Sequence, residues 1–387
     1  MIDACVFHEW TSTSDLAPYL TESWRQVVMR PGDRVGMITP KSMWWYRNPY
    51  GGKAPGSYPE RVAAEDVDRY QFGSVVTNTG LVAMSTYEVL ASQLLADGRR
   101  ERLVLGFNDG LLATAYPDYH MAAAVVGAAN QWTVEEWLSR DDRLYGMVLI
   151  TTAVPERAIE EIHRHGENPR MVGIAMGLNV LGKPFGHAIY HPIYRAAAEL
   201  QLPLVIQVGS DAATDLPTQP IAGGPAATFA EYDAFSVGAP ATHVASMIIA
   251  GVFELFPSLK VLVVGGGATW VPGFLWRLNY WFNTIRSEAP WLRELPSEYF
   301  VRHVRLGTYS LETVPEPEQL RSALETVPGV ESSLVYTSCY PNLDFSEPDE
   351  VARRLPSEWH DRVFQGNARE LFRWPQTRTR QQEEGGR

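Results

Sequence analysis

The chain holds two cysteines, Cys5 near one end and Cys339 near the other. An ionised thiol is a nucleophile, two thiols can form a reversible disulfide, and a pair of them with His8 could hold a soft metal ion. Against these stands the plainer reading that two small apolar side chains fill buried positions. His8, followed by Glu9 and Trp10, carries an imidazole that titrates near neutrality and could serve as general acid or base, or fix a loop. His187 and His191 are four residues apart, but Pro192 suggests that a helix begins after them, so a metal pair on one helical face is not expected and His191 alone is taken as a substrate contact. Gly265-Gly266-Gly267 lacks the spacing of a nucleotide loop; close packing or room for substrate is expected there, with a ligand's carboxylate or phosphate as the alternative. Polar groups that could accept a proton or bind charge are Asn108, Asp109, Glu231, Tyr232, Asp233, Asp344, His303 and Arg305.

These residues need a scaffold, and short apolar runs alternate with helical patterns along the chain. Strands are predicted at Met1–Val6, Leu103–Phe107, Leu144–Ile150, Met171–Met176, Leu204–Gln207, Leu259–Val264, Val304–Leu306 and Ser333–Thr337. Helices are predicted at Met84–Ala96, Tyr119–Ser139, Pro155–His165, Pro192–Leu200, Thr242–Phe256, Trp270–Arg286, Pro317–Glu325 and Asn367–Phe372. Eight strands alternating with helices give an α/β fold, a (β/α)8 TIM barrel over 1–375, with a flexible polar tail at 376–387. The long stretches 9–66 and 209–238 follow strands 1 and 5 and are read as lids over the mouth, where Trp44 and Trp45 suggest an apolar ligand or packing on the rim. Strands 1 and 8 are neighbours in a closed barrel, which brings Cys5 and Cys339 within reach of each other.

Composition narrows the partners. A net charge of −12 without clustered Lys and Arg disfavours nucleic acid. Neither a signal-peptide pattern nor an 18-residue apolar run occurs, so a cytoplasmic protein with a small-molecule, largely apolar substrate and no membrane partner is expected. Two cysteines exclude a disulfide framework and a four-cysteine zinc site.

An ordered set of segments carries a resemblance. It comprises Ile2–Trp10, Asn130-Gln131-Trp132 with Glu135–Leu138, Tyr194–Leu200 with Leu202-Pro203-Leu204, and Gly251-Val252-Phe253 with Phe256–Lys260. It continues through Gly266-Gly267 before Trp270-Val271-Pro272, Arg277-Leu278-Asn279, Ser338–Pro341 and Asn367–Glu370. Together they resemble the amidohydrolase-related family, which includes aminocarboxymuconate-semialdehyde and γ-resorcylate decarboxylases and various hydrolases. The resemblance implies a (β/α)8 barrel with a divalent metal held by an Asp/His-x-His on the first strand, a His on the fifth, often a His or Glu on the sixth, and an Asp in a Ser-Asp-x-Pro-His setting on the eighth. At those positions this sequence has Cys5 and Phe7, Gln207, Gly265, and Cys339 with Asn342.

A normal mononuclear hydrolytic centre is therefore not expected, and no cofactor is assigned. The leading expectation is a metal-independent lyase, decarboxylase, isomerase, cyclase or hydrolase of specialised or catabolic metabolism. Its catalytic groups would be Cys5, His8, Cys339 and His191, and its substrate contacts Phe7, Trp10, Trp44, Trp45, Asn108, Gln207, Gly265, Gly266, Asn342 and Asp344. The alternatives are a non-catalytic ligand-binding subunit and a soft-metal enzyme using Cys5, Cys339 and His8. Homo-oligomerisation, or pairing with a related barrel, is implied by the family resemblance.

Overall fold

The computed structural model describes residues 1–8, 10, 13–28, 86–107, 109–177, 179–207, 234, 237–340 and 345–374. Eight parallel strands pair in chain order: β1 Ile2–Phe7, β2 Arg102–Gly106, β3 Leu144–Ile150, β4 Met171–Met176, β5 Leu204–Gln207, β6 Val261–Val264, β7 Val304–Gly307 and β8 Leu334–Val335. Almost every strand residue is buried, as expected where helices cover one face of a sheet and the barrel interior fills the other. Closure comes from the chain around β8, where Ala4 N donates to Tyr336 O, Phe7 N to Tyr340 O and Cys339 N to Cys5 O, each at 2.9 Å. The (β/α)8 barrel expected from the sequence is thus the observed fold.

The surrounding helices used below are α1 Tyr119–Trp132, α2 Pro155–Gly166, α3 His191–Leu200, α4 Gly238–Ile249, α5 Trp270–Thr284 and α6 Pro296–His303. Local sequence explains their ends. The Asp118 side chain accepts from His120 N and Met121 N to cap α1. Helix α2 opens on Pro155 and Glu156 and closes on His163, Arg164 and His165, matching the helix dipole at both ends. Helix α3 stops at Gln201, whose φ of 58° is left-handed.

Several boundaries differ from the sequence-based expectation. The predicted helix over Thr242–Phe256 is broken, because Gly251 turns left-handed at φ 74° and the chain restarts as the short helix Val252–Leu255. The Trp291 ring lies where a Cβ at 251 would be, 2.6 Å from its nearest carbon, so only glycine fits. Helix α6 was not foreseen, although Pro296 in its first turn and Glu298, which accepts from Leu295 N, are helix-start signals. Strand β8 is shorter than expected because Tyr336 N donates to Val363 O and Thr337 N to the Thr308 hydroxyl, which diverts both from the strand ladder. In β1 the register slips between Asp3 and Val6.

The N-terminal end of the barrel is plugged by the last described residues. The Arg102 guanidinium stacks 4.4 Å from the Trp374 ring centroid, Trp374 packs on Tyr145, and Arg369 pairs with Glu101. Much of the two expected lids, including Trp44 and Trp45, together with Asn108, Asn342, Asp344 and the tail, lies outside the described residues. Of the first lid, Trp10 and residues 13–28 are described and form two short helices, Thr13–Leu16 and Glu22–Val28. Among the described residues no helix is long and apolar enough to cross a membrane.

Candidate active site

Strands in a barrel present alternate side chains to the interior and to the helices, so the orientation of one residue fixes that of its neighbours. His8 marks the outer side. Its ring stacks 5.3 Å from Trp132 and lies edge to face 5.2 Å from Trp137, both in the helical layer that follows β2. Phe7 therefore faces inward; Cys5 lies within the register slip of β1, and its contacts place it. A Cβ placed on Gly106 would sit 3.4 Å from Cys5 Sγ and 3.7 Å from Met147 Sδ, so a thiol, a thioether and a bare glycine form one stretch of inner wall across β1, β2 and β3.

Cys339 N donates to Cys5 O at 2.9 Å, so the two cysteines are carried on adjoining chain segments. Both are buried and neither is in a disulfide. Cys339 has a φ of 52°, a left-handed conformation unusual for a residue with a side chain. Gln207 ends β5 at the same C-terminal rim, level with Val264 of β6, and is half-buried.

Two proposed catalytic histidines lie elsewhere. His8 is fully buried, with Nδ1 donating to Gly106 O at 2.8 Å and Nε2 at 2.8 Å from the Thr133 hydroxyl. Burial holds its pKa down to about 3, against the opposing pull of the Gly106 bond. Both nitrogens are committed in the outer layer, so the geometry gives His8 a packing role rather than the acid–base or soft-metal role expected. Trp10 belongs to the same aromatic group, 5.8 Å from Phe107 and edge-on to Trp132, and not to the inner wall. His191 begins α3 in the outer layer against Tyr194 and Phe256, its pKa lowered by burial first and then by His187 and Arg195. His187 instead accepts from Ile189 N, so the two do not act as a pair.

All nine histidines of the chain fall in described residues, which allows the metal centre to be tested on donor chemistry. His165 lies against Glu161, His243 accepts from Phe185 N, His303 bonds Leu259 O, and His360 bonds Ala352 O and Leu355 O. His120 and His163 are exposed on α1 and α2. Among the described residues no three His, Cys, Asp or Glu side chains converge. The strand-end positions that would carry ligands offer two thiols and a carboxamide, which do not fit a histidine–aspartate centre.

The glycine run has an unforeseen occupant. Gly265, Gly266 and Gly267 all take positive φ, and the Glu312 carboxylate accepts from Ala268 N at 2.9 Å, Thr269 N at 3.0 Å and the Thr269 hydroxyl. A Cβ at Gly267 would meet that carboxyl at 2.4 Å. The anion-attracting start of α5 is thus filled from the loop after β7 by the protein itself, where a ligand anion had been the alternative expectation. Arg305, considered as a partner for substrate charge, sits at the N-terminal start of β7 and donates to Val301 O and Val304 O. Sequence reasoning missed Glu312, Met147 and Gly106; only Gly106, a glycine closing an apolar run, left a local signal.

Comparison with known proteins accords with this architecture. The family model for amidohydrolases matches residues 106–374. An amidohydrolase from Mycobacterium avium subsp. paratuberculosis superposes with a TM-score of 0.68 at 19% identity, covering 96% of this chain and 97% of that one. The 5-carboxyvanillate decarboxylase of Novosphingobium aromaticivorans, complexed with manganese, gives 0.62 at 20%, covering 96% of each chain. The 2,6-dihydroxybenzoate decarboxylase from Rhizobium gives 0.62 at 16%, covering 96% and 99%. With the family model spanning well over half its length and the barrel complete, the chain belongs to the amidohydrolase family.

Proposed function

We propose that this protein is a lyase of the decarboxylase type, acting on a substituted aromatic acid at the C-terminal mouth and working through Cys5, Cys339 and Gln207 in place of a histidine-bound metal. The observation that carries this reading is the Cys339 N–H to Cys5 carbonyl bond, which ties the chain's two thiol-bearing residues together at the end of the barrel where such folds perform chemistry. The similar structures named as decarboxylases of aromatic acids supply the substrate class, and the manganese bound in one of them is the point of departure.

The proposed chemistry is a proton exchange for carbon dioxide. The C–C bond to the carboxylate breaks, its electron pair stays on the ring carbon, and that carbon takes a proton from a thiol; solvent then reprotonates the thiolate. Phe7 and Met147, both buried, give the carboxylate an apolar setting that the neutral product tolerates better than the charged substrate. Gln207 supplies amide hydrogen bonds that hold a hydroxyl or carboxyl group in register.

The test is carbon dioxide release from a panel of hydroxylated and methoxylated benzoic acids. Cys5→Ser and Cys339→Ser are each expected to lower kcat by about 100-fold or more while leaving the circular dichroism spectrum unchanged. Turnover by both variants at the wild-type rate would refute the thiol mechanism. Failure of the wild type on the whole panel would remove the decarboxylase reading and leave a ligand-binding subunit.

A further inference from the structure

Asp3 is a carboxylate on a strand whose other residues are apolar. It lies on β1 with no solvent exposure, and an ionisable group buried that deeply is costly unless other groups satisfy it. The groups that do so belong to the two cysteine segments. Asp3 Oδ1 accepts from Ser338 N at 2.9 Å, and the Ser338 hydroxyl and Cys5 N also donate to the carboxylate. An aspartate that takes the N–H two residues along the chain makes an Asx turn, which competes with the strand ladder. The register of β1 slips at that point. Asp3 stands opposite Leu103 and Val6 opposite Leu105, so Ala4 and Cys5 together face Val104. On the other segment, Ser338 Oγ accepts from Tyr340 N at 3.2 Å, and between these two residues Cys339 takes its left-handed φ of 52°. Behind the carboxylate, Arg100 Nε lies 3.7 Å from Oδ2 and is itself buried, so a charge of opposite sign stands where water does not reach.

We propose that Asp3 is a positioning residue for the thiol pair: its carboxylate fastens the slip that carries Cys5 to the turn that carries Cys339, and so fixes the two cysteines relative to each other. A residue with a side chain stays left-handed only where its surroundings overdetermine it. For Cys339 the constraint comes from Asp3 through Ser338 on one side, and from Cys5 O, which takes the Cys339 N–H, on the other. Without the carboxylate the Ser338 N–H is a buried donor that has lost its acceptor, and the Cys5 N–H is released from the turn that sets the slip. Asp3 acts through the cysteines, so its part in turnover rests on the reading that these thiols perform the chemistry.

Two variants that leave no buried charge unpaired test this in the full chain. Asp3→Ala with Arg100→Met removes the clamp; Asp3→Asn with Arg100→Met restores an acceptor for the Ser338 amide. Alkylation of each cysteine by iodoacetamide is followed by peptide mass, and turnover by carbon dioxide release from the aromatic acid panel. The alanine variant should label at Cys339 about 10-fold faster than wild type, and lose kcat by about 10-fold with KM within about 2-fold. The asparagine variant should bring both back toward wild type. Arg369→Ala, which breaks the pair with Glu101 at the other end of the barrel, should leave Cys339 labelling unchanged and guards against reading a general loosening as loss of the clamp. Equal labelling in the wild type and both double variants, or a rise as large in the asparagine variant or in Arg369→Ala, would overturn the proposal. Labelling that follows the prediction in a chain that releases no carbon dioxide upholds the clamp and removes the thiol chemistry, so the two failures are told apart.

Discussion

The imidazoles show how burial decides a residue's role. His8, His243 and His303 are all enclosed, and burial pushes their pKa values down to about 3, 4 and 4. In the unfolded chain each titrates near 6.5, so between that pH and the folded values the unfolded state binds more protons. Stability is then fully present above pH 6.5 and falls as pH drops toward 4, each histidine contributing a slope of up to about 1.4 kcal/mol per pH unit. Urea titrations at pH 7, 6, 5 and 4 should show this loss, with His243→Phe flattening it; a midpoint constant over the range would contradict the assigned burial. His8→Gln, which keeps one donor and one acceptor, should cost stability of about 1–3 kcal/mol yet leave the turnover of folded enzyme near wild type. A fall in kcat matching that of Cys5→Ser would restore His8 to the chemistry.

At the scale of elements, what could be read from the sequence was periodicity. The alternation of apolar runs and helical patterns located all eight strands, because strands buried on both faces leave long uninterrupted apolar stretches. Residues whose meaning depends on a distant partner were not legible. Nothing near Gly265-Gly266-Gly267 announces that Glu312, more than forty residues later, will supply the anion that its backbone amides attract. Nor does the sequence around Asp3 say that its carboxylate will hold Ser338 N, next to Cys339, while its other oxygen lies 3.7 Å from Arg100. The candidate site was legible in part for the same reason. Phe7 and Gln207 could be placed by strand register, whereas the outward turn of His8 and Trp10 follows from a packing arrangement with Trp132 and Trp137 that no local pattern encodes. Removing the internal anion tests the loop: Glu312→Ala should lower stability by about 1–2 kcal/mol. Gly267→Ala should cost at least as much, since its φ of 65° disfavours a side chain and the added carbon meets the carboxyl. Thermal unfolding measures both, and a neutral Gly267→Ala would show that the nest is looser than described.

At the scale of the molecule, the barrel separates stability from chemistry along its axis. The N-terminal end is sealed by Arg102, Tyr145 and Trp374 and by the Arg369–Glu101 pair, while the C-terminal end carries the two cysteines and Gln207. This division lets residues at the C-terminal rim vary without loss of the fold, because the strands are held by their backbone ladder and the helices behind them.

The proposed metal-free chemistry is tested most directly by one paired measurement: elemental analysis of protein purified without chelators, with carbon dioxide release from the aromatic acid panel assayed before and after chelation. The predicted result is metal far below one ion per chain and turnover unchanged by the chelator. One tightly held ion per chain, with turnover lost on its removal and regained on its return, would contradict it.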